Sequence, residues 1–447
     1  MRIIIVGAGE VGSSIARSLS DTHEIVVVDT DSEQVEALTY SLDVLAIEGD
    51  GASLSVLRDA GIDTADMIIA STDDDETNLV TCGTAKTVND AFTIARVKNV
   101  DYLKTWQYSV EQQAFGVDFM VCSNLLTAED IVRVVSLPAA RDVNPFADGS
   151  VQMAEFAIDK GSPITDQTIS EADRFDSLTF AAILRNGDVE IPRGETRIQS
   201  GDKVIVIGVP ESVQEFAREI APSETPSKNE DLVIIGGSEI GYHTARLLEN
   251  RGLHPRLIEQ DPERARELAE QLPGTVVMES DPTDIEFLTR EHIDEADAVV
   301  ATLDNDERNL LVSVLANQLG VRRTVAVVET TEYVSLFETV GVNVAIHPRE
   351  VTAEEITRFT RELHTENVAL IEDDKAEVLE IEVSHESVLA DRPIRDAVMD
   401  LPDGFVIGAI TRDGRFVVPR GDTVIEPGDH VVAFVERSAL NAVSSQL

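Results

Sequence analysis

The chain has 447 residues, 43% hydrophobic and 4% aromatic, enough for several domains with cores of Val, Ile, Leu and Ala. Its 83 acidic residues against 36 lysines and arginines give a formal net charge of −47, so no basic stripe exists to neutralise phosphates, which argues against nucleic acid as a partner. No run approaches the roughly 18 apolar residues of a membrane-spanning helix, no leader-like segment precedes the first strand, and Cys82 and Cys122 lie outside any metal-binding spacing, so they read as reduced core residues.

The first stretch, Arg2 to Asp31, holds an apolar run (Ile3 to Val6), then Gly7-Ala8-Gly9-Glu10-Val11-Gly12 in GxGxxG spacing, a helical pattern, a second apolar run and Asp29. Each part has a physical job. The run is a buried parallel strand, Gly7 permits a sharp turn, Gly9 lets backbone approach a pyrophosphate, and Gly12 lets the helix pack on the strand. Phosphates then meet free N–H groups at the helix N-terminus, and Asp29, roughly 20 residues on, is placed to accept a ribose 2′-OH. That favours NAD or an unphosphorylated adenosine ribose over NADP.

Four more strands follow, ending near Asp50, at Thr72 before the acidic loop with Asp73, near Arg96, and around Val121, with helices between them. This predicts a doubly wound α/β domain whose ligand lies at the carboxyl ends of its strands, where Asp29, Asp50, Thr72, Asp73 and Arg96 gather. Arg96 reads as a phosphate-facing cation, with an ion pair to Asp73 or Asp75 as the alternative. A helix from Thr127 ends at Pro138, and short strands with a turn at Asn186-Gly187 then make a small α+β domain. Residues 222–231 read as a linker.

After the linker the whole programme repeats. Gly236-Gly237-Ser238-Glu239-Ile240 mirrors the first glycine loop, Glu259 stands for Asp29, Asp281 for Asp50, and Asn309 for Asn78, with Leu303 and Asp304 in the loop that mirrors Thr72 and Asp73. A helix from Thr352 mirrors that from Thr127, and IPRGETRIQSGD recurs as VPRGDTVIEPGD. The expected domains are 1–140, 141–222, a linker at 223–231, 232–365 and 366–447: two Rossmann-like parallel-sheet domains, each followed by a small α+β domain. Ser238 replaces the middle glycine and Val327 replaces Arg96, so the second site is expected to bind weakly, to bind something else, or to be a structural copy. No catalytic constellation or metal cluster is found; an NAD-dependent dehydrogenase would need a catalytic His or Lys that the small domains do not offer. A DNA-binding redox sensor is disfavoured by charge.

The motifs GAGEVG, VVVDTD, EGDG, DMIIASTDDDETN, TIARV and the twice-used PRGxTxIxxGD resemble the regulator-of-potassium-conductance (RCK) family in the tandem form that serves Trk potassium uptake. The resemblance covers nearly the whole chain. It implies a cytoplasmic subunit, peripheral on the inner face of the membrane, forming a homotetrameric ring of eight RCK units beneath a TrkH-like integral-membrane potassium transporter subunit. It also implies nucleotide contacts at residues 7 to 11, Asp29, Thr72, Asp73 and Arg96, and in the second copy at residues 236 to 240, Glu259, and Leu303 or Asp304. NAD(H) is the expected ligand, with ATP or ADP as alternatives at the same site; a regulator of another cation channel or of a cation/proton antiporter is the alternative role. The helices from Thr127 and Thr352 are candidates for subunit pairing and hinge movement.

The acidity, spread through both halves, fits a halophile's cytoplasm, because at about 1 M salt the Debye length falls to about 3 Å and self-repulsion is screened. The thermal unfolding midpoint is therefore expected to rise steeply between 0.1 M and 2 M KCl. A scanning-fluorimetry series checks this, and a flat profile would contradict it.

Overall fold

A computed structural model describes residues 1–109, 114–137, 139–175, 177–221, 231–362, 367–371, 375–402, 404–412 and 414–444; Pro138 and residues 222–230 of the expected linker lie outside them. The chain divides into two compact units, residues 1–132 with 231–357 and residues 133–230 with 358–447.

In the first unit the opening repeat runs β1 (Arg2–Val6), α1 (Glu10–Leu19), β2 (Glu24–Asp29), α2 (Ser32–Ser41), β3 (Leu45–Glu48), α3 (Leu54–Asp59), β4 (Met67–Ala70), α4 (Asp75–Lys86), β5 (Phe92–Val97), α5 (Val100–Tyr108), β6 (Phe119–Cys122) and α6 (Ser123–Val135). The strands are parallel in the order β3-β2-β1-β4-β5-β6. Ile3, Ile4 and Ile5 are wholly buried because helices cover both faces of the sheet, which is why the strand reads as an unbroken apolar run. The order reverses between β1 and β4, the switch point at whose carboxyl edge open parallel sheets hold their ligands. Local signals start the helices: Asp31, Asp74 and Asn99 each cap one by accepting a backbone N–H.

The later repeat builds the same sheet from Val276–Glu279, Arg256–Glu259, Leu232–Ile235, Ala298–Ala301, Thr324–Val327 and Val344–Ile346, side by side in that order. The helices expected from Thr127 and Thr352 begin four residues earlier, at Ser123 and Pro348. The first starts directly after Cys122 and the second with one residue between it and Ile346. Pro348 suits a first helical turn, and the repeated Thr-Ala-Glu motif that suggested the later starts lies one turn inside each helix.

The second unit holds two five-stranded antiparallel sheets, Asp188–Glu190, Leu178–Arg185, Lys203–Gly208, Val151–Ala157 and Ala140–Phe146 in one, and Asn367–Ile371, Ala376–Glu382, His430–Glu436, Phe405–Arg412 and Arg415–Val417 in the other. Alternation along Lys203–Gly208 sends Val204 and Val206 into one core beneath the helix Pro210–Ile220, and Ile205 and Ile207 into another. That other core is shared by both sheets, joining Phe146 and Met153 to Val378, Ala409 and Phe434. The turn at Asn186 and Gly187 has φ of 54° and 81°, as a tight hairpin requires.

The repeated Gly-Asp pair has a structural job. Arg185 donates to both carboxylate oxygens of Asp202 at 2.8 and 2.7 Å, and Arg412 to those of Asp429 at 2.7 Å each. Both aspartates are buried, and Asp202→Ala would leave the partly exposed Arg185 only the Arg197 carbonyl and Glu190, so it is expected to lower stability by about 2 kcal/mol. Denaturant titration in concentrated KCl measures it; an unchanged midpoint would show that the pair does not hold the sheet end.

Candidate functional site

The glycine loop between β1 and α1 is shaped by contact. Gly7 has φ of +107°, and a Cβ there would lie 2.9 Å from Thr72 N, so the loop after β1 touches the loop after β4. A Cβ on Gly12 would lie 1.8 Å from the Gly7 carbonyl oxygen, which forces glycine at the strand–helix crossing. At Gly9 a Cβ would meet nothing within 4 Å, and no side chain from that position caps the opening N–H groups of α1. The Asp29 carboxylate accepts from Ala8 N and, at 2.8 Å, from Asp31 N. It joins the loop to the end of β2 while using about two of its four acceptor positions, leaving capacity for a ribose hydroxyl. This loop fits a dinucleotide.

The opposite wall is held by a residue the motif reading had noted only as a repeat marker. Asn78, fully buried on α4, accepts from Thr72 N at 2.9 Å and from the Thr72 hydroxyl at 2.7 Å, and donates to the carbonyls of Thr72 and Arg96 at 2.9 Å each. Arg96 is 4% exposed; its Nε donates to the Ser123 hydroxyl at 2.9 Å and its Nη1 lies 3.1 Å from Asp73. The ion pair to Asp73 is thus present, whereas Asp75 accepts the N–H groups of Lys98 and Asn99. Burial pushes the Arg96 pKa down while Asp73 pulls it back. Burial likewise opposes the charge on Asp73, but Lys98, with Arg96 and Arg349, outweighs it and holds that carboxyl below its usual range. Asp50, exposed after β3, accepts from Ala52 N at 2.9 Å within its own turn.

Residues of the second repeat complete the surroundings of the first loop. Arg349 Nη1 lies 2.6 Å from Glu10 Oε2, and buried His347 is 3.5 Å from the same oxygen. The Thr352 and Ser123 hydroxyls lie 3.0 Å apart, within hydrogen-bond distance, with both side chains buried. His347 Nδ1 accepts Glu350 N–H at 3.2 Å, a capping role at the start of its helix.

The second loop has the same skeleton and different surroundings. Glu259 accepts from Gly237 N and Asp261 N at 2.7 Å each, and Asn309 binds Leu303 N at 2.8 Å and the carbonyls of Leu303 and Val327 at 2.9 Å each. Val327 therefore occupies the place of Arg96 in space as well as in sequence. Asp281 accepts from Thr283 as Asp50 does from Ala52, and Asp304 is exposed beside Leu303. Ser238 turns its hydroxyl onto Gly241 N–H at 3.2 Å, occupying one of the helix N-terminal donors. Arg264 closes over the loop, its Nε on the Gly237 carbonyl at 2.9 Å and its Nη2 on Glu239 at 2.9 Å. Ile240 is buried.

Sequence reading missed Ser123, Arg349 and Thr352 as site residues, since nothing local marks them. Asn78 carried a signal, its recurrence as Asn309 in a loop that also repeats Asp73, Asp75 and Glu76 as Asp304, Asp306 and Glu307. Among the described residues no cluster of His, Cys, Asp and Glu could hold a metal ion, and no helix is long and apolar enough to cross a membrane. Both cysteines are free and buried, with the Cys122 thiol pushed up to about 11 by burial. Asn78→Ala would leave the N–H of Thr72 and the carbonyls of Thr72 and Arg96 without their partner, and is expected to cost about 2–3 kcal/mol. Chemical denaturation followed by circular dichroism reads the loss; a change below about 0.5 kcal/mol would show that water replaces the amide.

Comparison with known proteins agrees with this arrangement. The TrkA-N domain family matches residues 3–121 and 232–348, and the TrkA-C domain family residues 153–221 and 378–447. A Trk system potassium uptake protein TrkA homolog of Archaeoglobus fulgidus is 38% identical, over 98% of this chain and 97% of its own. The Trk system potassium uptake protein TrkA of Haemophilus influenzae is 31% identical over 97% and 96%. The crystal structure of the GsuK RCK domain, at 19% identity, aligns over 100% of this chain and 94% of that one with a TM-score of 0.61, which establishes the same fold. With both domain types present twice and relatives of this identity matched end to end, the chain belongs to the TrkA family of Trk system potassium uptake proteins.

Proposed function

We propose that the chain is the nucleotide-binding regulatory subunit of a Trk-type potassium uptake system, acting from the cytoplasmic face on a TrkH-like potassium-translocating subunit. Relatives carrying the Trk potassium uptake name match it from end to end, which supports the transport assignment. The nucleotide reading is carried by one observation, the asymmetry of two otherwise matching loops. The first keeps an uncapped helix N-terminus, open space at Gly9 and a buried arginine; the second has a capping serine, a valine and an arginine laid over the loop.

In this reading residues 1–140 and 232–365 are the large domains, 141–222 and 366–447 the small ones, and 223–231 connects the halves. Gly7 to Gly12 and Asp29 hold the pyrophosphate and ribose of NAD(H), or the equivalent part of ATP or ADP, while Thr72, Asp73 and Arg96 form the facing wall. The ligand is bound and released without turnover. Four chains give a ring of eight such repeats. A ligand shifts such a ring only by its differential affinity for two ring shapes. A tenfold preference at each of about four concerted sites multiplies to about 10⁴, sufficient to carry a gate from 1:99 to 99:1.

Calorimetric titration of the full chain in concentrated KCl with NADH and with ATP tests this, alongside Arg96→Ala. Saturable binding without consumption of ligand is expected, weakened about tenfold or more in the variant. Absence of binding, affinity indifferent to Arg96, or turnover of either ligand would overturn the reading.

A further inference from the structure

Arg349 is the second residue of the helix Pro348–Glu362 in the later repeat, yet its guanidinium lies 2.6 Å from Glu10, the first residue of α1 in the earlier one. Glu10 sits at the positive end of the α1 dipole, beside the N–H groups that would receive a ligand's phosphates. A carboxylate there has the charge and the acceptor oxygens of a phosphate. Three residues past Arg349, Thr352 meets Ser123 at 3.0 Å, and the same Ser123 hydroxyl accepts Arg96 Nε at 2.9 Å. Two cations are thus anchored around one buried hydroxyl pair: Arg96 on its own strand, Arg349 brought in by the other repeat. The Arg349 charge is felt at Asp73 and Arg96 as well as at Glu10. The first repeat offers no reciprocal cation, because its counterpart of Arg349 is Asn124, which donates to the Lys98 carbonyl at 3.1 Å.

We propose that Arg349 is a phosphate-binding residue of the first site supplied by the second repeat, held on Glu10 until the phosphates of a nucleotide take it over. The inference rests on the nucleotide reading above. A partly exposed ion pair of this kind is weak, and a guanidinium binds phosphate oxygens through two parallel N–H donors, so the exchange favours the ligand. Glu10 then acts as a competitor occupying the cation. Arg349 lies in the first turn of the helix that leads from residue 348 across residue 357 into the small-domain unit, and Ser123 opens α6, which crosses residue 132 in the same way. An anion gathered by Arg96 and Arg349 therefore pulls on the first turns of both connections. The second repeat becomes a reporter on the first site.

The test is calorimetric titration of the full chain in concentrated KCl with NADH and separately with ATP, using wild type, Arg349→Ala, Arg349→Lys, Glu10→Gln and the Glu10→Gln/Arg349→Ala double variant. Arg349→Ala is expected to weaken binding about tenfold and Arg349→Lys to fall between it and wild type, while Glu10→Gln tightens binding about threefold. In the double variant the gain from Glu10→Gln disappears. A larger loss for ATP than for NADH assigns Arg349 to a terminal phosphate; equal losses assign it to the shared pyrophosphate. Wild-type affinity in Arg349→Ala, or a full gain from Glu10→Gln when Arg349 is absent, overturns the proposal. If Arg349→Ala does not fold, wild-type affinity in Arg349→Lys together with no gain in Glu10→Gln overturns it. Failure of wild type to bind either nucleotide instead removes the reading on which it rests.

Discussion

At the carboxyl edge of a parallel sheet the strands end in backbone groups that have run out of partners, and a buried group left so costs more than a hydrogen bond gains. In each large domain one buried asparagine answers that demand. Asn78 binds the loop after β4 and the end of β5 together, and Asn309 does the same in the later repeat with nearly identical distances. Everything proposed for the first site depends on this staple. It fixes the height of Thr72 against Gly7 and sets the strand end from which Arg96 reaches Ser123 and Asp73.

With the skeleton held in common, the differences between the repeats are informative. Glycine against serine at the centre of the loop decides whether a helix N-terminal donor is free or occupied; arginine against valine on the fifth strand decides whether the facing wall carries charge. Neither change alters the fold. Both change what the fold can hold, and Arg264 goes further by placing the chain's own cation over the loop. Fold is shared between the repeats while binding chemistry is local to a few side chains.

How much of this was legible in the sequence follows from the range of the forces involved. The strands, the glycine loop, the strand-end position of Asp29 and the tandem order were readable because apolar runs, glycine spacing and the residue that closes a strand are each written in a short stretch of sequence. Helix starts at Ser123 and Pro348 were misplaced by four residues, since the repeated Thr-Ala-Glu motif from which the helices were read begins one turn inside each. The partners of Arg96 could be narrowed to two aspartates, but Ser123 could not be named, because that contact is made across the sheet edge. Arg349 and Thr352 were least visible. They reach another repeat, and no pattern in either segment records the other. The Gly-Asp motif was seen as a repeat without its reason, which is a bidentate arginine on a neighbouring strand.

The core shared by the two small domains carries an implication for how such a chain could have arisen. Phe146, Met153, Ile205 and Ile207 from the first half meet Val378, Ala409 and Phe434 from the second, and at Gly408 a Cβ would lie 2.5 Å from Ile207. A half-length ancestor ending near residue 222 would have exposed that apolar face to water, so it could persist only by covering it with a second molecule of itself. Duplication and fusion would make permanent a pairing that otherwise depends on concentration. Once the two faces belong to one chain, each is free to change against the other, and the two glycine loops can differ without losing the assembly that joins them.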